Sequence, residues 1–278
     1  MTRSFGRAFT LRDFVRVASL MTLLSFSLLP ILWLVMTSFK TRLQIFASPP
    51  EVLFYPNFDA WLRLLQPGPL RQALLNSIMT ATYTTIITIV IGCLAAYAFS
   101  RFKFRGGATL LFGILAARLL PPINSVVVLY LLATRLQLAD TILGLVILYT
   151  ALLVPIAIWL LRTAFDGVPK ELEEAALIDG CGRFQALWKI TVPLAAPGIA
   201  VTALLVFILS WNEFLFAYLF TSSKATTIPV LLAKAVGEFG VDWADLTAQA
   251  TVLLIPVFIV CLVAQRHLIS GLSGGALK

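Results

Sequence analysis

Between Glu173 and Pro193 the chain reads EEAALIDGCGRFQALWKITVP, a stretch dense in acids, bases and turn residues. Its chemistry is that of contact rather than reaction. Glu171, Glu173 and Glu174 have no neighbouring histidine to share a proton with, because the single histidine is His267. One histidine cannot make a metal cluster, so no metal site is expected. Cys93 and Cys261 fall in apolar runs and Cys181 in the polar stretch, which excludes a disulfide framework. A membrane-embedded enzyme would need His, Asp or Ser groups clustered at one depth, and none is visible. There is no G-x-x-x-x-G-K-[ST] loop, and Gly-Lys never occurs. The chain is not expected to be an enzyme, and any uphill movement it supports needs a partner to hydrolyse nucleotide.

The local grammar of the stretch is that of two short helices. Pro169 suits a helix first turn, where its missing N–H costs nothing. Glu171, Glu173 and Glu174 then favour the positive end of the helix dipole. Gly180, just past Asp179, suits a left-handed terminator. A second helix is expected from Arg183, with Phe184, Leu187, Trp188 and Thr191 at i, i+3, i+4, i+7 as one stripe, ended by Pro193. In the first helix Leu172, Ala175 and Ala176 share a side, while Leu177 and Ile178 lie away from it. Apolar groups on two sides imply a helix wedged between its own bundle and a partner. Lying on lipid headgroups would favour a basic helix, and this one is acidic.

The rest of the chain sets that loop in a membrane. Of 278 residues, 60% are hydrophobic and 12% charged, against about a quarter charged in a soluble domain; mean hydropathy is +0.95. Six runs are long and apolar enough to span: about 14–36, 72–99, 108–131, 142–164, 196–220 and 248–266. The expectation is an all-α polytopic membrane protein, one transmembrane domain over 1–278, with a loop at about 165–195. The leading arginines would also suit a signal peptide, but the first run is about twenty residues long and no A-x-A site follows it, so it reads as an anchor. With the N-terminus inside, the inner segments carry thirteen Lys and Arg against seven outside. Both termini and the polar loop are therefore expected on the cytoplasmic side. The net charge of +8 is mostly this flanking charge, and no basic face for nucleic acid exists.

The spacing Glu174-Ala175-Ala176, Gly180, Ile190, Pro193 resembles the EAA loop of ABC importer permeases. The wider chain resembles the carbohydrate branch, the MalG-like permeases. TSFK (37–40), AAYAFSRFKFRGG (95–107), SWNEFLFAY (210–218) and QRHLISGLSGGALK (265–278) carry that likeness. Val192 departs from the family's usual leucine. The resemblance implies a permease that passes a sugar or sugar-like solute, delivered by a periplasmic or lipid-anchored binding protein, through a bacterial or archaeal plasma membrane. It implies a second, MalF-like permease and two MalK-like ATPases, with ATP and magnesium held by those ATPases and no cofactor on this chain. Glu174, Ala175, Ala176, Asp179, Gly180, Ile190 and Pro193 would then meet the ATPase. Gln265, Arg266, Gly271, Gly274 and Gly275 would reach into the ATPase dimer. In such subunits the outer loop 221–247 touches the binding protein; a re-entrant segment packed on its own bundle is the alternative.

Polar residues inside spans mark function. Thr202, Val206, Ser210, Glu213 and Ala217 share a narrow stripe at 100° per residue, suited to a pathway lining or a close helix contact. Arg118, Ser210, Asn212 and Glu213 are the solute-pathway candidates, with a structural role open for each. A permease for a non-sugar solute stays compatible. A secondary transporter would need internal symmetry and more intramembrane acids.

Overall fold

The computed structural model describes residues 11–119, 123–235 and 241–275, with side chains up to Leu262, Leu119, Ile123 and Asn124 excepted. Among these residues the chain is helical and without strands. In order it forms α1 (Leu11–Thr37), α2 (Arg42–Ile45), α3 (Asp59–Leu65), α4 (Pro69–Arg101), α5 (Gly107–Ala116) and α6 (Ile123–Arg135). Then come α7 (Ile142–Asp166), α8 (Lys170–Ile178), α9 (Arg183–Ala186), α10 (Val192–Leu194), α11 (Ala196–Trp211), α12 (Leu215–Phe220), α13 (Ile228–Lys234) and α14 (Trp243–Gly275). A π-helical turn, Leu187–Thr191, joins α9 to α10.

The chain divides into two compact units. The first comprises 1–66 and 235–252, the second 67–234 and 253–278. In the first, α1 is an apolar helix whose side chains are nearly all uncovered. Its C-terminal end carries the TSFK motif. Lys40 is 3% exposed, donates to the Glu51 carbonyl at 2.6 Å, and lies over the Trp33 and Phe54 rings at 4.6 and 5.0 Å. A buried ammonium needs such a carbonyl and such π faces to replace water. Trp61 stacks on Phe39 and donates to Ser38.

The second unit is built on α4, α7 and α11. The face that α4 buries is small and hydroxylic: Ala73, Ser77, Thr80, Ala81, Thr84, Thr88 and Ala96. Small groups at helical spacing let backbones approach where lipid offers no hydrophobic drive for association. Gly198 on α11 packs so close to Ala164 on α7 that no Cβ fits. Leu161, Phe165, Leu187 and Val206 fill the core at the polar loop's end.

Among the described residues, four helices are long and apolar enough to cross a membrane: Leu11–Thr37, Pro69–Arg101, Ile142–Asp166 and Trp243–Leu262. The expected spans at 108–131 and 196–220 are not single helices. Over the first, the described residues form α5, tighten into a 3₁₀ turn at Ala117–Leu119 and form α6 from Ile123. The second breaks at Asn212–Phe214 between α11 and α12. Between α10 and α11 the chain turns by 81°.

Candidate functional site

Within the second unit, loop 165–195 is held by a buried polar cluster, beside the apolar anchors Val168 and Leu187. Glu173 and Arg101 pair at 2.8 Å, with side chains 6% and 5% exposed. Thr191 donates to the same carboxylate at 2.6 Å and Tyr97 at 3.1 Å. Arg101 also donates to the carbonyls of Phe165 and Val168, at 3.1 and 3.0 Å. Burial alone would push the Glu173 carboxyl up, but hydrogen bonds from Arg101 and Thr191 outweigh it and hold the group below its ordinary value.

The expected loop residues divide into inner and outer faces. Ala176 is buried, while Glu174, Ala175 and Asp179 are exposed. Gly180 has φ +86°, and the helix ends as a Schellman motif: Cys181 N–H donates to the Ala176 carbonyl and Gly180 N–H to Leu177. Ile190 is half-buried and Pro193 exposed. The expected single stripe on the second helix is instead divided. Leu187 and Thr191 point inward at 1% and 0% exposure, whereas Phe184 and Trp188 point outward at 66% and 40%. The boundary of burial runs down that stripe, and the π turn rewinds its last residues. With Leu172 and Ile178 also exposed, the loop presents an uncovered apolar surface beside Glu174.

A second site lies within the spans. Arg118 and Glu213 line one cavity of about 350 Å³, together with Ser125, Leu129, Leu209 and Phe216. They form no ion pair with each other. Glu213 instead accepts from the backbone N–H groups of Phe216 and Ala217 at 2.9 and 3.1 Å, capping α12 at its positive end. Ser210 is 4% exposed and is not among the cavity's lining residues. The expected stripe of Thr202, Val206, Ser210, Glu213 and Ala217 assumed an unbroken helix; the break at 212–214 removes Glu213 from it, and the other four are buried in packing. Asn212 folds back to donate to the Ile208 carbonyl. The backbone of α14 stays helical through Gly275, but the side chains of the tail candidates Gln265 and Arg266, and any contact of Gly271, Gly274 and Gly275, lie outside the described residues.

On the opposite side, residues 221–228 rest on their own bundle. The Asp140 carboxylate accepts the backbone N–H groups of Ser222, Ser223, Lys224 and Ala225 at 3.0 to 3.2 Å. Asn76 donates to the Lys224 and Thr226 carbonyls, both at 2.9 Å. Burial disfavours the Asp140 anion, yet these N–H bonds and the Ser222 hydroxyl carry its pKa far below the ordinary range.

Arg101, Tyr97, Glu173, Thr191 and Asp140 are the residues that sequence reasoning missed. Arg101 reads only as flanking charge and Glu173 only as a dipole charge. One signal was present: Glu173 sits three residues before Ala176, on the face that α8 buries.

A family model described as binding-protein-dependent transport system inner membrane component matches residues 88–274. The chain belongs to this family. It is an ABC importer permease, a non-catalytic membrane subunit. It is 37% identical over 255 residues to the trehalose/maltose transport system permease protein MalG of Thermococcus litoralis, covering 90% of this chain and 91% of that one. To the sulfoquinovosyl glycerol transport system permease protein SmoH of Agrobacterium fabrum it is 35% identical over 255 residues, covering 90% and 89%. In fold it matches a chain in the crystal structure of a bacterial ABC transporter that imports the acidic polysaccharide alginate, with TM-score 0.76, 24% identity and coverage of 95% and 99%.

Proposed function

We propose that this permease carries a sugar or sugar-like solute, handed to it by an extracytoplasmic binding protein. A second, homologous permease completes the pathway, and two ATPase subunits, which hold the ATP and magnesium, dock beneath. Loop 165–195 is the docking element: Leu172, Ile178, Phe184 and Trp188 fill an ATPase cleft, and Glu174 makes the polar contact. Both termini face the cytoplasm of a bacterial or archaeal cell. The observation that carries the reading is the uncovered apolar surface of α8 and α9 on a loop anchored by a fully buried ion pair. A surface left bare this way marks a protein contact. The two relatives named for trehalose/maltose and sulfoquinovosyl glycerol support a sugar-bearing solute.

Reconstitution tests it. The permease pair, the ATPase and the binding protein are placed in proteoliposomes with ATP inside. Radiolabelled trehalose, maltose, sulfoquinovosyl glycerol and methionine are offered in turn. A saccharide or glycoside should accumulate only with both ATP and binding protein present. Accumulation of methionine alone overturns the sugar assignment, and uptake without ATP overturns the importer reading.

A further inference from the structure

α8 holds on to its own chain by little. Of its nine residues only Glu173 and Ala176 are buried, and an alanine methyl gives almost no lateral grip. The Glu173 carboxylate is therefore the polar side-chain route by which a push on α8 reaches the core. That carboxylate, with the guanidinium it pairs with, meets three separate pieces of chain. Arg101 and Tyr97 belong to α4, Thr191 to the π turn leading toward α11, and the other Arg101 hydrogens reach the carbonyls at the end of α7. Arg101 also donates to Ser100, which in turn donates to Asp166 on α7. A buried ion pair is seldom the most stable way to fill such a space, because desolvation offsets its Coulomb energy. What it supplies here is direction: a planar guanidinium fork and a carboxylate fix orientation as well as distance.

We propose that Arg101 and Glu173 are positioning residues, a buried latch that makes α8 and the inner end of α4 one rigid lever. The inference rests on the docking reading above. When a partner displaces α8, the latch passes the motion into the α4, α7 and α11 core, and the loop does not absorb it. Neither residue touches the solute or the ATPase. Glu174, one residue on, makes the partner contact and has no share in the latch.

The test uses the assembled transporter with its native cysteines replaced and spin labels at Leu94 on α4 and Glu171 on α8. Both sites are exposed, and neither belongs to the apolar surface assigned to the ATPase. The distance between the labels should agree within about 2 Å between the nucleotide-free state and the state trapped with Mg-ATP and vanadate, because helix shifts of that size are ordinary. In Glu173→Gln the distribution should broaden. Uptake of the binding protein's saccharide should fall roughly tenfold while ATP hydrolysis stays within about twofold, a typical size for a lost coupling. Arg101→Lys, which keeps the charge, should recover part of the coupling. A merely structural pair would lower assembly and leave the ratio of uptake to hydrolysis unchanged, and that result overturns the latch. So does a change of more than about 4 Å in the unsubstituted protein, on the same scale of helix motion. Should Glu173→Gln fail to assemble, the label distance in the unsubstituted complex still decides. Failure of the ATPase to bind the chain at all would sink the docking reading itself, whereas normal binding and uptake with a shifting distance sinks the latch alone.

Discussion

Glu173 and Glu174 differ by one position and by almost everything else. Glu173 is 5% exposed and bound on three sides, while Glu174 faces outward. Glu174→Lys should therefore leave folding and membrane insertion intact and weaken ATPase association at least roughly tenfold, through like-charge contact in an interface built around a carboxylate. Co-purification of the ATPase at full stoichiometry would show Glu174 to be a solvated bystander. Gly180 makes a different kind of demand. Nothing lies within 4 Å of where its Cβ would stand, so space is free, but φ is +86°. A side chain there costs about 1–2 kcal/mol, and a β-branched one more. Gly180→Val should uncouple uptake from hydrolysis with Gly180→Asn clearly milder, since asparagine tolerates the left-handed region. Uptake per ATP in reconstituted vesicles is the measurement, and equal values for the two variants would refute the turn-based explanation.

Among the elements, the close approach of α11 to α7 at Gly198 leaves no room for a side chain. Gly198→Val must push the helices apart against Ala164, which should cost about 1–3 kcal/mol by overpacking. A lower melting temperature in detergent, with the purified protein still helical, checks it. Loop 221–228 offers a test by pH. The Asp140 carboxyl is held far below its ordinary value by four N–H groups. A carboxyl depressed in the folded state contributes stability that is fully present above its unfolded pKa, near 3.9, and is lost as pH falls through the folded value. Thermal unfolding of Asp140→Asn should then lie below the unsubstituted protein by a constant gap from about pH 5 to 8 and converge on it only in strong acid. Convergence at neutral pH would contradict the role given to Asp140. The long apolar helices were legible because composition over about twenty residues reports them. The 3₁₀ turn at 117–119 and the break at 212–214 were not, since a hydropathy window averages over interruptions this short. The π turn escaped for a related reason, as a 3.6-residue period assumes the winding it is meant to detect. The turn at Gly180 was legible because its cause is local. The latch was not, because nothing near Arg101 says that it meets a residue 72 positions away.

At the scale of the molecule, the second unit carries an uncovered, anchored loop, 165–195, and a pinned loop, 221–228. The cavity lined by Arg118 and Glu213 lies in the second unit. Because Glu213 is already satisfied as the cap of α12, its charge is available for structure before it is available for solute. Glu213→Gln should keep one hydrogen bond to α12 and assemble, but lose about 1 kcal/mol or more of cap energy. Cysteines at Arg118 and Leu209, which line the cavity, should react with a water-soluble maleimide, and one at Ser210 should not. The reverse pattern would place the pathway on the packed stripe. The central claim is that α8 is the face a partner ATPase covers, and Ile178, 88% exposed, reports it directly. A single cysteine at 178, in an otherwise cysteine-free chain, is labelled with a membrane-impermeant maleimide in inside-out vesicles with and without the ATPase subunits. The account predicts rapid labelling of the permease pair alone and protection once the ATPase is bound. Equal labelling in both preparations, with the ATPase demonstrably attached, would contradict it.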